Sequence, residues 1–153
     1  VTGLVHDESG FPSNSYAVAD DLIRRINDKI DFHKDDIILY EEENLEDAEY
    51  AILSYGCSSR SSKAAMKALR EKGIKIGHFR VITLWPSPEA QILALSEKVK
   101  AIIVPEMNLG QYVLEVERIV KNNCKVHQVN KVNGEIIYPE EIIKKIEEVL
   151  VDA

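Results

Sequence analysis

Apolar positions along this chain follow two spacings, one typical of helices and one typical of buried strands. Near the start, apolar residues recur every three or four positions from Ala17 to Ile30, which predicts a helix that begins after Ser13 or Asn14. Beyond it, short continuous apolar runs recur at regular intervals, as expected for strands that are covered on both faces. The predicted strands span residues 37–40, 51–55, 75–84, 101–104 and 125–129.

Amphipathic segments separate these runs and predict further helices over residues 59–72, 88–99, 111–122 and 140–150. Gly73 is expected to end the first of them, and Ser87 to cap the second, with Pro88 in its first turn. The acidic segment 41–49 is expected to be a solvated loop. Because strands and helices alternate, the pattern predicts an α/β fold, a three-layer sandwich in which helices cover both faces of a mainly parallel sheet.

Length and charge narrow the class of protein. The 153 residues fit one domain, expected over 15–153, and the irregular start at Val1 predicts that 1–14 is a linker from a missing upstream domain. A net charge of −7, from 19 basic and 26 acidic residues, argues against nucleic acid and anionic membrane surfaces as partners. With no apolar run long enough to span a membrane and no signal peptide visible, the sequence predicts a cytoplasmic protein.

The turn after the strand at 51–55 is the strongest candidate for a binding site. Small residues allow a sharp turn there, and the N–H groups that begin the next helix attract anions. The turn after the strand at 101–104 is expected at the same edge of the sheet, because parallel strands end together at a switch point. The candidate anion site comprises Gly56, Cys57, Ser58, Ser59, Arg60, Asn108 and Gln111. The alternative is that the serines cap the helix and that Glu106, Asn108 and Gln111 hydrogen-bond within their loop.

Other residues give weaker indications of a catalytic, ligand-binding or metal-binding role. Cys57 precedes a helix whose field would lower a thiol pKa, but no histidine partner follows, so a small structural residue is the alternative to a nucleophile. His6 is either a ligand or acid–base group or part of a solvated linker. Arg80 either pairs with a buried acid or a ligand or is exposed at an edge. Cys57 and Cys124 cannot alone hold an iron–sulfur cluster, although a disulfide between them remains open. The sequence therefore predicts neither a catalytic residue nor a metal site.

Six ordered segments give the chain a family likeness. They are residues 6–10 (HDESG), 48–56 (AEYAILSYG), 60–63 (RSSK), 77–86 (GHFRVITLWP), 104–111 (VPEMNLGQ) and 130–135 (NKVNGE). Together they resemble the alpha subunit of 2-oxoacid:ferredoxin oxidoreductases, with the 2-oxoglutarate (KorA-like) branch closest. The resemblance covers essentially the whole chain.

The resemblance implies that this is the C-terminal domain of such a subunit, with a fold like the transketolase C-terminal domain. That fold has a five-stranded sheet in the order 1-3-2-4-5, with the first strand antiparallel. In the family, thiamin diphosphate, magnesium and iron–sulfur clusters support oxidative decarboxylation of a 2-oxoacid to an acyl-CoA, with ferredoxin as electron acceptor. Their ligands lie in other domains or subunits, so the isolated chain is expected to be inactive and no cofactor is expected within it.

Two further hypotheses stay open beside the resemblance. One is a stand-alone anion or small-ligand binding module that uses the turn from Ser58 to Ser62, and the other is an enzyme that depends on Cys57. Large apolar side chains at Leu4, Phe11 and Trp85 also predict weak self-association of the isolated chain, because uncovered apolar surface usually marks a contact.

Overall fold

The computed structural model describes residues 5–151. The chain divides between Ile38 and Leu39 into two compact units. The sequence-based division into a linker over 1–14 and a domain over 15–153 stays a prediction. The two units are defined by contacts within this chain, and such contacts do not locate the boundary with a neighbouring domain. Within the described residues, none of the helices has the length and apolar character needed to cross a membrane.

The first unit holds a small hairpin and two helices. Strands β1 (Val5–His6) and β2 (Pro12–Ser13) pair antiparallel, and helices α1 (Tyr16–Asp31) and α2 (Lys34–Ile37) follow. The carboxylate of Asp7 makes the hairpin turn by accepting the N–H groups of Ser9 and Phe11 at 2.9 and 3.1 Å. The expectation of an irregular start is therefore wrong where this turn forms, whereas the first predicted helix is confirmed.

The second unit is a three-layer α/β/α sandwich. Its strands and helices are β3 (Tyr40–Glu43), β4 (Tyr50–Tyr55), α3 (Ser58–Glu71), β5 (Ile76–Val81), α4 (Glu89–Ser96), β6 (Ala101–Glu106), α5 (Tyr112–Val120), β7 (Lys125–Asn130) and α6 (Pro139–Val151). The sheet order is β3-β5-β4-β6-β7, and every pair is parallel except β3 with β5. Numbered within this sheet, the order is 1-3-2-4-5 with the first strand antiparallel, so the expected fold is confirmed.

The edge strand and the start of α4 differ from the sequence prediction. The first strand of this sheet spans Tyr40–Glu43 rather than 37–40, so the start of the acidic segment 41–49 is not the expected loop. As an edge strand with charged residues that face solvent, it lacks the continuous apolar run of the inner strands. Ser87 does not cap α4 as predicted. Its hydroxyl instead hydrogen-bonds to the Tyr112 hydroxyl at 2.7 Å and to the Leu84 carbonyl at 3.2 Å.

The core lies on both faces of the sheet. Ala51 and Leu53 of β4 pack in the cluster formed with α4 and α5, whereas Ile52 packs in the cluster formed with α3 and α6. The helix after β4 and the helix after β6 therefore cover opposite faces. Between these two neighbouring strands lies the switch point of the sheet, where open α/β sheets form a crevice.

Candidate functional site

The loops that follow β4 and β6 meet at the switch point. Cys57 Sγ lies 3.3 Å from Met107 Sδ, and the Asn108 side-chain amide donates to the Tyr55 hydroxyl at 2.9 Å. Asn108 thus lies at the carboxyl ends of the parallel strands, where the helix containing Ser59 begins, as the topology of parallel strands predicts. The two predicted turns form one crevice.

Two adjoining cavities divide the predicted residues. The larger, about 440 Å³, is lined by five of the seven: Gly56, Cys57, Ser58, Ser59 and Arg60. The smaller, about 180 Å³, shares three of these and adds Asn108. Gln111 lines neither cavity, because it precedes α5 and its N–H donates to Asn108 Oδ1 at 2.9 Å.

The serines at the start of α3 do not cap it. Ser58 Oγ donates to the Tyr55 carbonyl at 2.8 Å, and Ser62 Oγ donates to the Ser58 carbonyl at 2.9 Å. Serine hydroxyls inside a helix commonly bond back to carbonyls in this way, so the alternative in which the serines cap the helix is wrong. The N–H groups of Ser59 and Arg60 make long bonds of 3.4 and 3.3 Å to the carbonyls of Gly56 and Cys57.

Beneath the larger cavity runs a chain of buried polar side chains. Ser54 Oγ donates to Ser59 Oγ at 3.1 Å and lies 2.6 Å from His78 Nε2. Burial, together with the charge of Lys63, lowers the pKa of His78 to about 4, so its ring is neutral at pH 7. The sequence analysis did not predict this series of hydrogen bonds, because polar residues inside apolar strands give no local signal of which side chains they contact.

Three cationic side chains line the larger cavity, namely Arg60, Lys63 and Arg80. Lys63 Nζ lies 3.1 Å from Glu43, and Arg80 Nη1 lies 3.2 Å from Glu41. The hydrogen bond from Arg80 lowers the pKa of the Glu41 carboxyl below its ordinary value. Arg80 Nε is buried and has no hydrogen-bond partner among the described residues. The expectation that Arg80 pairs with a buried acid is wrong, because its partner Glu41 is exposed on the edge strand.

The Glu106 carboxylate connects the ends of β4 and β6 with the start of α5, beside the smaller cavity. It accepts the N–H groups of Tyr112 and Val113 at 2.8 and 3.0 Å and the Tyr55 hydroxyl at 2.9 Å. Burial, then the bond to Glu106, raises the pKa of Tyr55 to about 12. These bonds anchor the start of α5 to the end of β6. The hypothesis that Glu106 and Asn108 stabilise their own loop is therefore supported.

The remaining candidates are ordinary structural groups. Cys57 is exposed, and its thiol contacts the Met107 thioether, which cannot act as a base. Cys57 and Cys124 are free thiols, so the disulfide left open by the sequence is not formed. His6 hydrogen-bonds to the Asp7 carbonyl within the exposed hairpin. Packing and turn formation account for each of these contacts.

Comparisons with known proteins agree with this architecture. The family model described as pyruvate:ferredoxin oxidoreductase core domain II matches residues 48–142. The chain belongs to this family. The chain is also 47% identical over 146 residues to the 2-oxoglutarate synthase subunit KorA of Methanocaldococcus jannaschii, across 95% of this chain and 39% of that subunit. The chain thus spans about two fifths of the length of that relative, and its resemblance to 2-oxoacid:ferredoxin oxidoreductases is confirmed.

Two solved structures resemble this chain. The 2-oxoglutarate:ferredoxin oxidoreductase of Magnetococcus marinus, solved with 2-oxoglutarate, coenzyme A and succinyl-CoA bound, matches with a TM-score of 0.77 and 27% identity, over 96% of this chain and 26% of that one. A split-gene transketolase in an inactive β4 tetramer matches with a TM-score of 0.62 and 16% identity, over 72% of this chain and 41% of that one. The second likeness confirms the transketolase-type fold.

The described residues do not fit the two metal-containing groups that the family resemblance implies, magnesium and an iron–sulfur cluster. An iron–sulfur cluster needs four thiolates or their equivalents, and this sequence has two cysteines. Within residues 5–151, the structure brings together no group of three histidine, cysteine or acidic side chains that could hold a metal ion. No step through magnesium or a cluster is therefore placed on this chain.

Proposed function

We propose that this chain is the C-terminal accessory domain of the alpha subunit of a 2-oxoglutarate:ferredoxin oxidoreductase. The observation that carries the proposal is its similarity, over 95% of its length, to part of a KorA subunit. The complete enzyme would decarboxylate 2-oxoglutarate, transfer the acyl group to CoA to give succinyl-CoA, and pass two electrons to ferredoxin. Thiamin diphosphate, magnesium and iron–sulfur clusters held elsewhere in the assembly would supply that chemistry.

In this proposal the domain contributes structure and a crevice rather than a catalytic group. The Glu106 carboxylate and the Ser54–His78 contact fix the turns at the switch point from inside. Other domains and subunits of the oxidoreductase would be its partners, and the cytoplasm its location.

A substrate comparison on the assembled enzyme tests this role. The enzyme would be purified with its complete alpha subunit and partner subunits, and viologen reduction measured with 2-oxoglutarate, pyruvate and 2-oxoisovalerate, each with and without CoA. We expect turnover that depends on CoA and favours 2-oxoglutarate. Preference for another 2-oxoacid would overturn the substrate assignment, and no turnover with any of them would overturn the oxidoreductase assignment.

A second role, anion binding at the crevice, is favoured by one observation. Arg60, Lys63 and Arg80 line the same cavity as the start of α3. We propose that this cavity is the anion site expected from the sequence, whether the chain stands alone or within its subunit. Saturable binding of an anion by the purified chain, measured by amide chemical shifts confined to residues of the cavity, would support it. Shifts scattered over the surface would contradict it.

A further inference from the structure

The hydroxyl of Ser59 is a buried donor that faces the larger cavity. Ser59 is only 5% exposed, and it lines that cavity. Its oxygen accepts from Ser54, so its own O–H proton is left to donate, and no described side chain or carbonyl accepts it. Ser54 already gives this buried oxygen the one partner that buried hydroxyl groups almost always have, and only the donor capacity of Ser59 is unused. An acceptor inside the cavity would use that capacity.

The neighbouring residues fix the direction of that proton. With the single hydroxyl proton of Ser54 donated to Ser59, the tautomer of His78 that satisfies the 2.6 Å contact is the one with Nε2–H donating to Ser54 Oγ. A neutral ring carries one proton, which this contact places on Nε2. The bonds from His78 to Ser54 and from Ser54 to Ser59 therefore all point toward the cavity.

Charge around the cavity favours an anion. Arg60, Lys63 and Arg80 face two nearby carboxylates, Glu41 and Glu43, which leaves positive charge in excess. Arg60 forms no ion pair within the part of the chain that the structure describes. A phosphate group can accept from a hydroxyl and from several cations at once, which a carboxylate does less fully.

The size and the opposite wall of the cavity indicate more than a free ion. Its volume of about 440 Å³ exceeds that of one phosphate, and Met107, Ile136 and Ile137 contribute apolar surface to it. We propose that the cavity binds a small organic phosphate, with the phosphate on Ser59 and Arg60 and the organic part against the apolar wall. This proposal rests on the anion-binding role proposed above and names the ligand class and the selecting group.

Titration of the 153-residue chain tests the proposal. Inorganic phosphate, glycerol phosphate and acetate serve as probes, with binding followed by backbone amide chemical shifts. We expect both phosphates to bind at the cavity and acetate to bind more weakly. Ser59→Ala should weaken phosphate binding about tenfold, because it removes a hydrogen bond to a charged group. Arg60→Ala, at an exposed position, should also weaken it and cannot disturb the core.

Matched variants separate this role from a structural one. Ser96→Ala removes a buried hydroxyl on the other side of the sheet and should leave phosphate binding unchanged. His78→Gln keeps an N–H donor and should bind phosphate more tightly than His78→Leu, which has none. Equal phosphate affinity in wild type and Ser59→Ala would overturn the assignment of the donor but leave an anion site. No binding of either phosphate at millimolar concentration would overturn both, and neither result bears on the oxidoreductase assay.

Discussion

Glu106 illustrates how one buried carboxylate organises the switch point. It accepts hydrogen bonds from two N–H groups of α5 as well as from Tyr55. Glu106→Gln should lower the free energy of unfolding by about 1.5–3 kcal/mol, because hydrogen bonds to a charged acceptor are lost and an amide N–H then faces the helix. Urea unfolding measures this. Glu117→Gln, an exposed change on the same helix, is the control, and equal midpoints for both variants would contradict the prediction.

The lowered pKa of His78 should make the free energy of unfolding depend on pH. Its pKa is lowered to about 4 by burial, whereas the unfolded chain takes up the proton near the ordinary pKa of about 6.5. The contribution of neutral His78 is therefore complete above that ordinary pKa and is lost as the pH falls toward the folded pKa, by about 3 kcal/mol at most.

Urea unfolding at neutral pH and near pH 4.5, in wild type and in His78→Gln, measures this contribution. Carboxylates destabilise both proteins in acid, so the informative quantity is the difference between their pH slopes. We expect the variant to lose less stability than wild type. Parallel slopes would show that His78 titrates alike in the folded and unfolded chain.

Among the helices, α1 and α3 should behave differently. No residue of α1 is buried, and Ile23 and Ile26 are each more than half exposed. By contrast, α3 buries Met66 and Leu69 completely. Short helices without packing are marginal in water, so amide hydrogens of α1 should exchange far faster than those of α3 in the isolated chain. Hydrogen–deuterium exchange measures this, and equal protection of both helices would contradict it.

The accuracy of prediction varied between elements for a physical reason. Strands β4 and β6 are covered on both faces, so their apolar runs located them to within about two residues. The edge strand β3 has a face and an edge in solvent and carries charged residues there, so no apolar run marked its position in the sequence. The sequence predicted that the turn from Gly56 to Arg60 lies beside the turn after β6, because parallel strands end together.

Other parts of the site left no local trace in the sequence. Ser54 and His78 are 24 positions apart and meet only because β4 and β5 pair in register. Arg80 and Ile136 likewise reach the cavity through tertiary packing. Periodicity reports which face of an element is buried, but not which buried polar groups become neighbours.

For the whole molecule, exposed apolar surface predicts weak self-association. Phe11 and Trp85 are 71% and 70% exposed, whereas Leu4 lies outside the described residues. Burying each side chain stabilises contact by roughly 1.5–3 kcal/mol, against an association cost of about 4–15 kcal/mol. Light scattering over a dilution series should show a mass that rises with concentration, less so for Trp85→Ser than for the control Lys98→Ser. A constant monomer mass would contradict this.

The central claim is that this chain serves a 2-oxoacid:ferredoxin oxidoreductase without carrying its catalytic centre. The most direct measurement is CoA-dependent reduction of a viologen dye by 2-oxoglutarate, assayed in parallel on the purified 153-residue chain and on the assembled enzyme that contains the same sequence. We predict turnover by the assembly and none by the chain alone, even with added thiamin diphosphate and magnesium. Turnover by the isolated chain, or an assembly that is equally active when this domain is deleted, would contradict the account.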